Sequence, residues 1–112
     1  MYAFTYERPA ATADAAKLIK GGGQALAGGQ TLLASMKQRL MQPEQLVDLR
    51  SIAELKGIKK DGNNIVIGAM VRHQEVENNA DVKKHIPALA ALAGGIGDKQ
   101  VRAMGTMGGS VA

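Results

Sequence analysis

Residues 24–40 read QALAGGQTLLASMKQRL: a short apolar run, two glycines, a polar pair and then a stretch with helical spacing. Adjacent glycines between a strand and a helix weaken local structure, because glycine loses the most backbone entropy on folding. Gly28 and Gly29 therefore mark a position that needs something only glycine provides, either a left-handed turn or close approach by a ligand. Upstream, QALAGG supplies a short strand ending at Gly28. Downstream, TLLASMKQRLM places Leu32, Leu33, Met36 and Leu40 at helical spacing and is closed by Pro43, and QLVDL supplies the next strand. This β-turn-α-β order predicts a small parallel sheet.

On the N-terminal side, TADAAKLIK (12–20) predicts a helix capped by Thr12, with Asp14 in its first turn, Ala15, Leu18 and Ile19 on one face, and Gly21-Gly22-Gly23 as its stop. On the C-terminal side the character changes near Leu55. KGIKKDGNNIVIGAM carries two apolar runs around Asp61-Gly62-Asn63-Asn64, the composition of a β-hairpin turn. RHQEVENNADVKKHIPALAALAGGIG reads as one or two short helices broken at Pro87, and GTMGGSVA as a turn running into a strand that starts at Val111 and Ala112. The fold class expected is α+β. An N-terminal α/β subdomain with a small parallel sheet occupies 1–56, and 57–112 form the start of a mixed or antiparallel α+β subdomain that is incomplete, so the chain is expected to be truncated.

With 112 residues, 46% of them hydrophobic, one domain of modest core is the natural size. The formal net charge of +4 is scattered, with adjacent cations only at Lys59-Lys60 and Lys83-Lys84, and one Phe, two Tyr and no Trp leave little for base stacking, so nucleic-acid binding is disfavoured. No cysteine is present, which excludes disulfides and thiolate-held zinc or iron–sulfur sites within this chain. MYAFTYERPA has neither a basic leader nor an apolar signal core, and no apolar run approaches membrane-spanning length. A cytoplasmic soluble protein without membrane insertion is expected.

Two segments share a pattern. Gly28-Gly29-Gln30-Thr31 and Gly108-Gly109-Ser110 each set two glycines just before a hydroxyl side chain, so that open backbone N–H groups and a hydroxyl donor could face a phosphate or diphosphate. Taken singly, each is also the composition of an ordinary turn. Neither fits the dinucleotide fingerprint GxGxxG or the Walker pattern. In combination they are more specific. AGGQTLLASMKQRL, then IVIGAMVRHQEV, then IGDKQVRAMGTMGGSVA, in that order, resemble the FAD-binding domain of the molybdenum hydroxylases, in particular the medium, flavoprotein subunits of the aerobic carbon monoxide dehydrogenase and xanthine dehydrogenase group. The resemblance covers Phe4 to Ala112, the N-terminal part of such subunits, and implies an FAD-binding domain of the PCMH type, truncated.

In that family both loops wrap the FAD pyrophosphate, which implies Ala27, Gly28, Gly29, Gln30 and Thr31 from the first and Thr106, Met107, Gly108, Gly109 and Ser110 from the second. The resemblance also places Ile96, in GGIGD, against the flavin and carries Leu32 on from the first loop toward the cofactor. Both are equally readable as core residues, since both lie in apolar periodic segments. Ala34 stands where the family commonly has proline, and Met107 where it usually has a β-branched residue.

His73 falls where the family often has histidine or threonine, but as a lone histidine beside a helix start it reads as a capping or surface residue, and His85 reads as exposed. Neither pairs with a carboxylate at metal-ligand spacing, so no metal is expected. Arg39, Arg50, Arg72 and Arg102 read as solvated or ion-paired rather than as phosphate ligands. The function implied is that of the flavin module of a molybdenum hydroxylase, an oxidoreductase passing electrons from the iron–sulfur clusters of a partner subunit through FAD to an external acceptor. An iron–sulfur subunit and a molybdenum-cofactor subunit are the partners. No catalytic acid, base or nucleophile is assigned, because the redox chemistry belongs to the cofactor. The alternatives are a fragment that self-associates as a homo-oligomer without flavin, and a binding module for another phosphate-bearing nucleotide.

Overall fold

A computed structural model describes residues 3–111. The chain divides into two compact units between Glu54 and Leu55. In the first, the elements run β1 (Thr5–Glu7), α1 (Thr12–Lys20), β2 (Gln24–Leu26), α2 (Leu32–Lys37) and β3 (Gln45–Asp48). The strands form a parallel sheet in the order β1-β3-β2, with Tyr6 opposite Leu46 and Leu26 opposite Asp48. As the central strand, β3 is covered on both faces, and Leu46, Val47 and Asp48 are all buried. Leu26, Met36 and Leu46 form the core cluster, with Leu32 and Leu33 packed against it.

The predicted parallel sheet is therefore present, with one strand more than expected, because β1 has only three residues and all are exposed. Thr12 does not cap α1. The cap position is Ala11, and the Thr12 hydroxyl instead donates to Glu54 Oε1 at 2.8 Å. The glycine stop is a Schellman turn: Gly22, at φ +109°, donates to Ile19 O and Gly23 to Leu18 O, each at 3.0 Å. The same motif ends α2 well before Pro43. Arg39 stands in the left-handed position at φ +57° and donates to Met36 O, and Leu40 donates to Ser35 O. Leu40 thus leaves the helix and is 79% exposed rather than on the apolar face that its spacing suggested.

The second unit opens with a hairpin, β4 (Ile58–Asp61) and β5 (Asn64–Ile67), antiparallel with Asp61 opposite Asn64, as the DGNN composition predicts. Ile65 and Ile67 are half-buried and Val66 is exposed, the alternation of a sheet covered on one face. Five helices follow among the described residues: α3 (His73–Asn78), α4 (Ala80–His85), α5 (Pro87–Gly94), α6 (Lys99–Met104) and α7 (Met107–Val111). Asn79 Oδ1 caps α4 by accepting from Asp81 N and Val82 N, and Pro87 opens α5, where its missing N–H costs nothing. Asp98 caps α6 by accepting from Val101 N at 2.9 Å. The core is Val71, Val76, Val82, Ala90 and Ala93, with Ile58, Ile65, Ile67, Leu89 and Met107 against it.

The expected terminal strand is a helix instead. Thr106 makes an isolated antiparallel bridge to Arg72, and the chain then turns into α7, with Ser110 N donating to Thr106 O at 3.1 Å. The buried Thr106 hydroxyl accepts from Gly109 N and starts the helix despite two glycines. Val111 belongs to this helix, and Ala112 lies outside the described residues. Among the described residues no helix is long and apolar enough to cross a membrane.

Candidate functional site

The first glycine segment leaves the C-terminal edge of the parallel sheet, where ligands of open α/β sheets bind. β2 ends at Leu26, whose carbonyl accepts from Leu49 N at 3.0 Å, and the chain then runs through Ala27–Thr31 into α2. Gly29 has φ +76°, and a Cβ added there would lie 2.7 Å from Leu33 Cδ1. The glycine thus answers to a left-handed turn. This turn places the Gly29 carbonyl to accept from Leu33 N at 3.1 Å and leaves the preceding amides uncommitted. Among the described residues, none of the backbone N–H groups of Gly28, Gly29, Gln30, Thr31 and Leu32 donates to a protein acceptor. Thr31, at the cap position, makes no side-chain cap bond. Five consecutive amides without partners, next to a hydroxyl, form a donor set suited to an anion with several oxygens. Leu32 is half-buried and packs on the core of its unit.

The second segment is built differently from the open cradle expected. Met107 N donates to Val71 O at 2.9 Å, Gly108 N to Ala69 O at 2.8 Å, Gly109 N to the Thr106 hydroxyl and Ser110 N to Thr106 O. Gly108 is required by close packing, because a Cβ there would lie 2.8 Å from Ala69 Cβ and 2.9 Å from Ala69 O. The exposed donor left to this segment is the Ser110 hydroxyl, which lies 2.9 Å from His73 Nε2, while the amide of the buried Thr106 donates to no acceptor among the described residues. Ile96 is half-buried in the turn between α5 and α6, where its carbonyl and that of Gly97 accept from Arg102 Nη1.

His73 is not the surface residue that its isolation in the sequence suggested. It is the first residue of α3, 2% exposed, and its Nδ1 is buried without a hydrogen-bond partner. Its partner Ser110 lies 37 residues away, so no local pattern could have joined the two. His85 is exposed, as expected.

Asp48, at the C-terminal end of β3, is the other buried ionisable side chain of note. Its Oδ1 accepts from Arg50 N at 3.0 Å, its Oδ2 pairs with Arg50 Nε at 3.2 Å, and it also accepts from the Tyr6 hydroxyl. That hydrogen bond, more than desolvation or the nearby negative charge, raises the Tyr6 phenol above its ordinary 10.0. The folded state therefore holds the phenol proton more tightly than the unfolded state does. The resulting stabilisation is complete below about pH 10 and is lost as pH rises through the folded-state value. Thermal unfolding of the chain and of Tyr6→Phe across the alkaline range should show the extra alkaline loss in the parent only; parallel curves would contradict this assignment.

Arg102 pairs with Glu77 Oε2 at 3.5 Å and Arg50 with Asp48, which accords with ion-paired rather than ligand-facing arginines. No group of three or more His, Cys, Asp or Glu side chains is placed to hold a metal among the described residues.

Residues 2–112 match the family model described as the FAD binding domain in molybdopterin dehydrogenase. The carbon monoxide dehydrogenase medium chain of Hydrogenophaga pseudoflava is 41% identical over 112 residues, covering 97% of this chain and 39% of that one. A solved structure of the carbon monoxide dehydrogenase from the same organism, lacking the Mo-pyranopterin moiety of its cofactor, superposes with a TM-score of 0.96 at 39% identity over 98% of this chain and 39% of the other. Quinoline 2-oxidoreductase from Pseudomonas putida 86 gives a TM-score of 0.95 at 34% identity over 99% of this chain and 40% of the other. The chain thus spans about two fifths of the length of these relatives. A family match over residues 2–112 and this level of identity, joined to the parallel sheet with its glycine turn, place the chain in the family of FAD binding domains of molybdopterin dehydrogenases.

Proposed function

We propose that this chain binds FAD as part of the flavin module of a molybdenum hydroxylase, an oxidoreductase of the cytoplasm. The observation that carries the reading is the row of five amides without partners at Gly28–Leu32 in a chain of this family. Those amides and the Thr31 hydroxyl donate to the pyrophosphate oxygens, and Ala27 and Gln30 complete the turn that aims them. No lysine or arginine is needed here, since fixed N–H dipoles are themselves an anion site. Thr106, Met107, Gly108, Gly109 and Ser110 form the second binding segment, held by Ala69 and Val71, with Ser110 as its donor. Leu32 and Ile96 offer apolar contact to the flavin.

Bound FAD would supply the redox chemistry, the transfer of electrons from the iron–sulfur clusters of a partner subunit to an external acceptor. The chain's own part is to bind and orient the cofactor, and no residue here is assigned as acid, base or nucleophile. An iron–sulfur subunit and a molybdenum-cofactor subunit follow as partners from this reading. Residues 1–56 act as the N-terminal α/β subdomain of the FAD site and 57–112 as the start of a second.

Titration of FAD into the purified 112-residue chain, followed by flavin fluorescence, tests the proposal. FAD is expected to bind weakly, because the chain spans about two fifths of the length of its relatives and affinity depends on burying most of the ligand. FMN, which lacks the pyrophosphate, should bind at least about tenfold more weakly, and ADP should compete. Binding of ADP or ATP with exclusion of FAD would instead support the second reading, a site for another phosphate-bearing nucleotide. No detectable FAD binding would overturn the proposal.

The isolated chain is also expected to self-associate. β1 and β2 are the two edges of the parallel sheet, and Leu92 and Val111 are 65% and 84% exposed. Sedimentation at low micromolar concentration should show a dimer or larger species, and a monomer would contradict this expectation.

A further inference from the structure

Every backbone amide from Met107 to Ser110 is bonded within the chain, and the buried Thr106 hydroxyl already accepts from Gly109 N. Besides the Thr106 amide, which lies in a buried residue and donates to no acceptor among the described residues, what the second segment has left for a ligand is the exposed Ser110 hydroxyl, whose partner among the described residues is His73 Nε2 at 2.9 Å. The histidine is fixed from several sides. Its ring is 2% exposed, its backbone N–H donates to Gly105 O at 3.1 Å, and Gly105 leaves so little room that a Cβ there would lie 3.1 Å from His73 Cδ2. Its second ring nitrogen, Nδ1, is buried with no partner.

A neutral imidazole has one N–H donor and one bare acceptor nitrogen, so the pair has two arrangements. If Ser110 donated to Nε2, Nδ1 would carry a buried proton with no acceptor, and the serine would have no proton left for a ligand. If Nε2–H donates to Ser110 Oγ, Nδ1 is a bare acceptor, and orphaned buried acceptors are tolerated better than orphaned buried N–H groups. In the second arrangement the serine accepts from the ring and keeps its own proton for an outside oxygen. Accepting one bond also strengthens the one it donates.

We infer that His73 is a positioning residue for the cofactor site: its Nε2–H holds the Ser110 hydroxyl so that the serine proton is presented to a phosphate oxygen of FAD. The inference rests on the FAD-binding reading above and assigns the direction of one hydrogen bond within it. His73 itself touches no ligand. Its contribution is to fix in advance a hydroxyl that would otherwise rotate, which lowers the ordering cost of binding.

Two measurements test it. Nitrogen-15 NMR of the histidine rings in the FAD-free 112-residue chain, recorded where the rings are neutral, should show the His73 ring proton on Nε2, against the exposed His85 as a reference. A proton on Nδ1 overturns the assignment. FAD titrations then form a cycle. Ser110→Ala and His73→Phe should each weaken FAD binding by about tenfold, while the double variant should be no weaker than Ser110→Ala alone. His73→Gln, whose amide nitrogen can donate from near the Nε2 position, should recover most of the loss, and it replaces the phenylalanine variant in the cycle if circular dichroism shows that the latter is unfolded. Equal losses from the His73 substitution in the parent and in the Ser110→Ala background would mean a structural role only and overturn the inference. Failure of the parent chain to bind FAD would overturn the cofactor reading, and this inference with it, a result distinguishable from the equal-loss outcome.

Discussion

FAD binding should fall by more than about a hundredfold when Gly29 is replaced by valine, the loss expected when two or more hydrogen bonds to a charged ligand disappear together. Gly29 lies at φ +76°, and a β-branched residue is a true outlier there. Its Cβ would also meet Leu33 Cδ1 at 2.7 Å. The chain must then leave the left-handed region, rotating the peptide planes on both sides and turning the amides of Gly29 and Gln30 away from their common direction. Gly29→Ala keeps some of the turn at a backbone cost of about 1–2 kcal/mol and should lie between the parent and the valine variant in affinity. Flavin fluorescence titration beside far-ultraviolet circular dichroism separates lost binding from lost fold. Unchanged affinity in a folded Gly29→Val chain would show that the segment is an ordinary turn.

Gly68→Ala should cost the second unit about 2–4 kcal/mol, a large effect for one methyl group. An added Cβ would lie 2.2 Å from Leu55 O and 2.6 Å from Leu55 C, backbone atoms that no rotamer change can move aside. Gly68 N donates to Gly57 O and Met70 N to Leu55 O, so the two segments cannot separate without losing both bonds. The strain also reaches the candidate site, because Ala69 and Val71, just beyond, accept the Gly108 and Met107 amides. Gly95→Ala is the control, since its Cβ would make only ordinary contacts at 3.5 Å and it should be neutral within about 0.5 kcal/mol. Urea unfolding of both variants decides the matter, and equal midpoints would contradict the packing argument.

The features readable from the sequence are those coded locally. The β-turn-α-β order around Gly28-Gly29 predicted a parallel sheet, and β2 and β3 pair in parallel. DGNN predicted the hairpin, and Pro87 the helix break. The misses were set by partners distant in sequence. β1 exists because Tyr6 and its neighbours pair with β3, some forty residues away, and Thr12 turns from capping to bond Glu54. GTMGGSVA looks like a turn and a strand because two glycines disfavour helix, yet bonds from Met107 and Gly108 to Val71 and Ala69 start α7. The α6 segment, KQVRAM, shows no apolar face of its own, and what holds it is the Asp98 cap and the Arg102–Glu77 pair to α3. At the candidate site, the first segment's glycines and hydroxyl were visible in the chain. The buried His73 was not, because a lone histidine carries no signal until Ser110 is brought to it.

The central claim is that FAD is held by the amides of residues 28–32, and one measurement reaches those atoms directly. In a proton–nitrogen correlation NMR titration of the 112-residue chain with FAD, the amide resonances of Gly28, Gly29, Gln30, Thr31 and Leu32 should shift together and downfield along one binding curve, as N–H groups without partners acquire phosphate acceptors. ADP should move the same resonances in the same direction, and FMN should do so only at concentrations at least about tenfold higher. If FAD binds while these five amides stay in place and the shifts fall elsewhere, the pyrophosphate is not held by this turn and the account of the site is wrong.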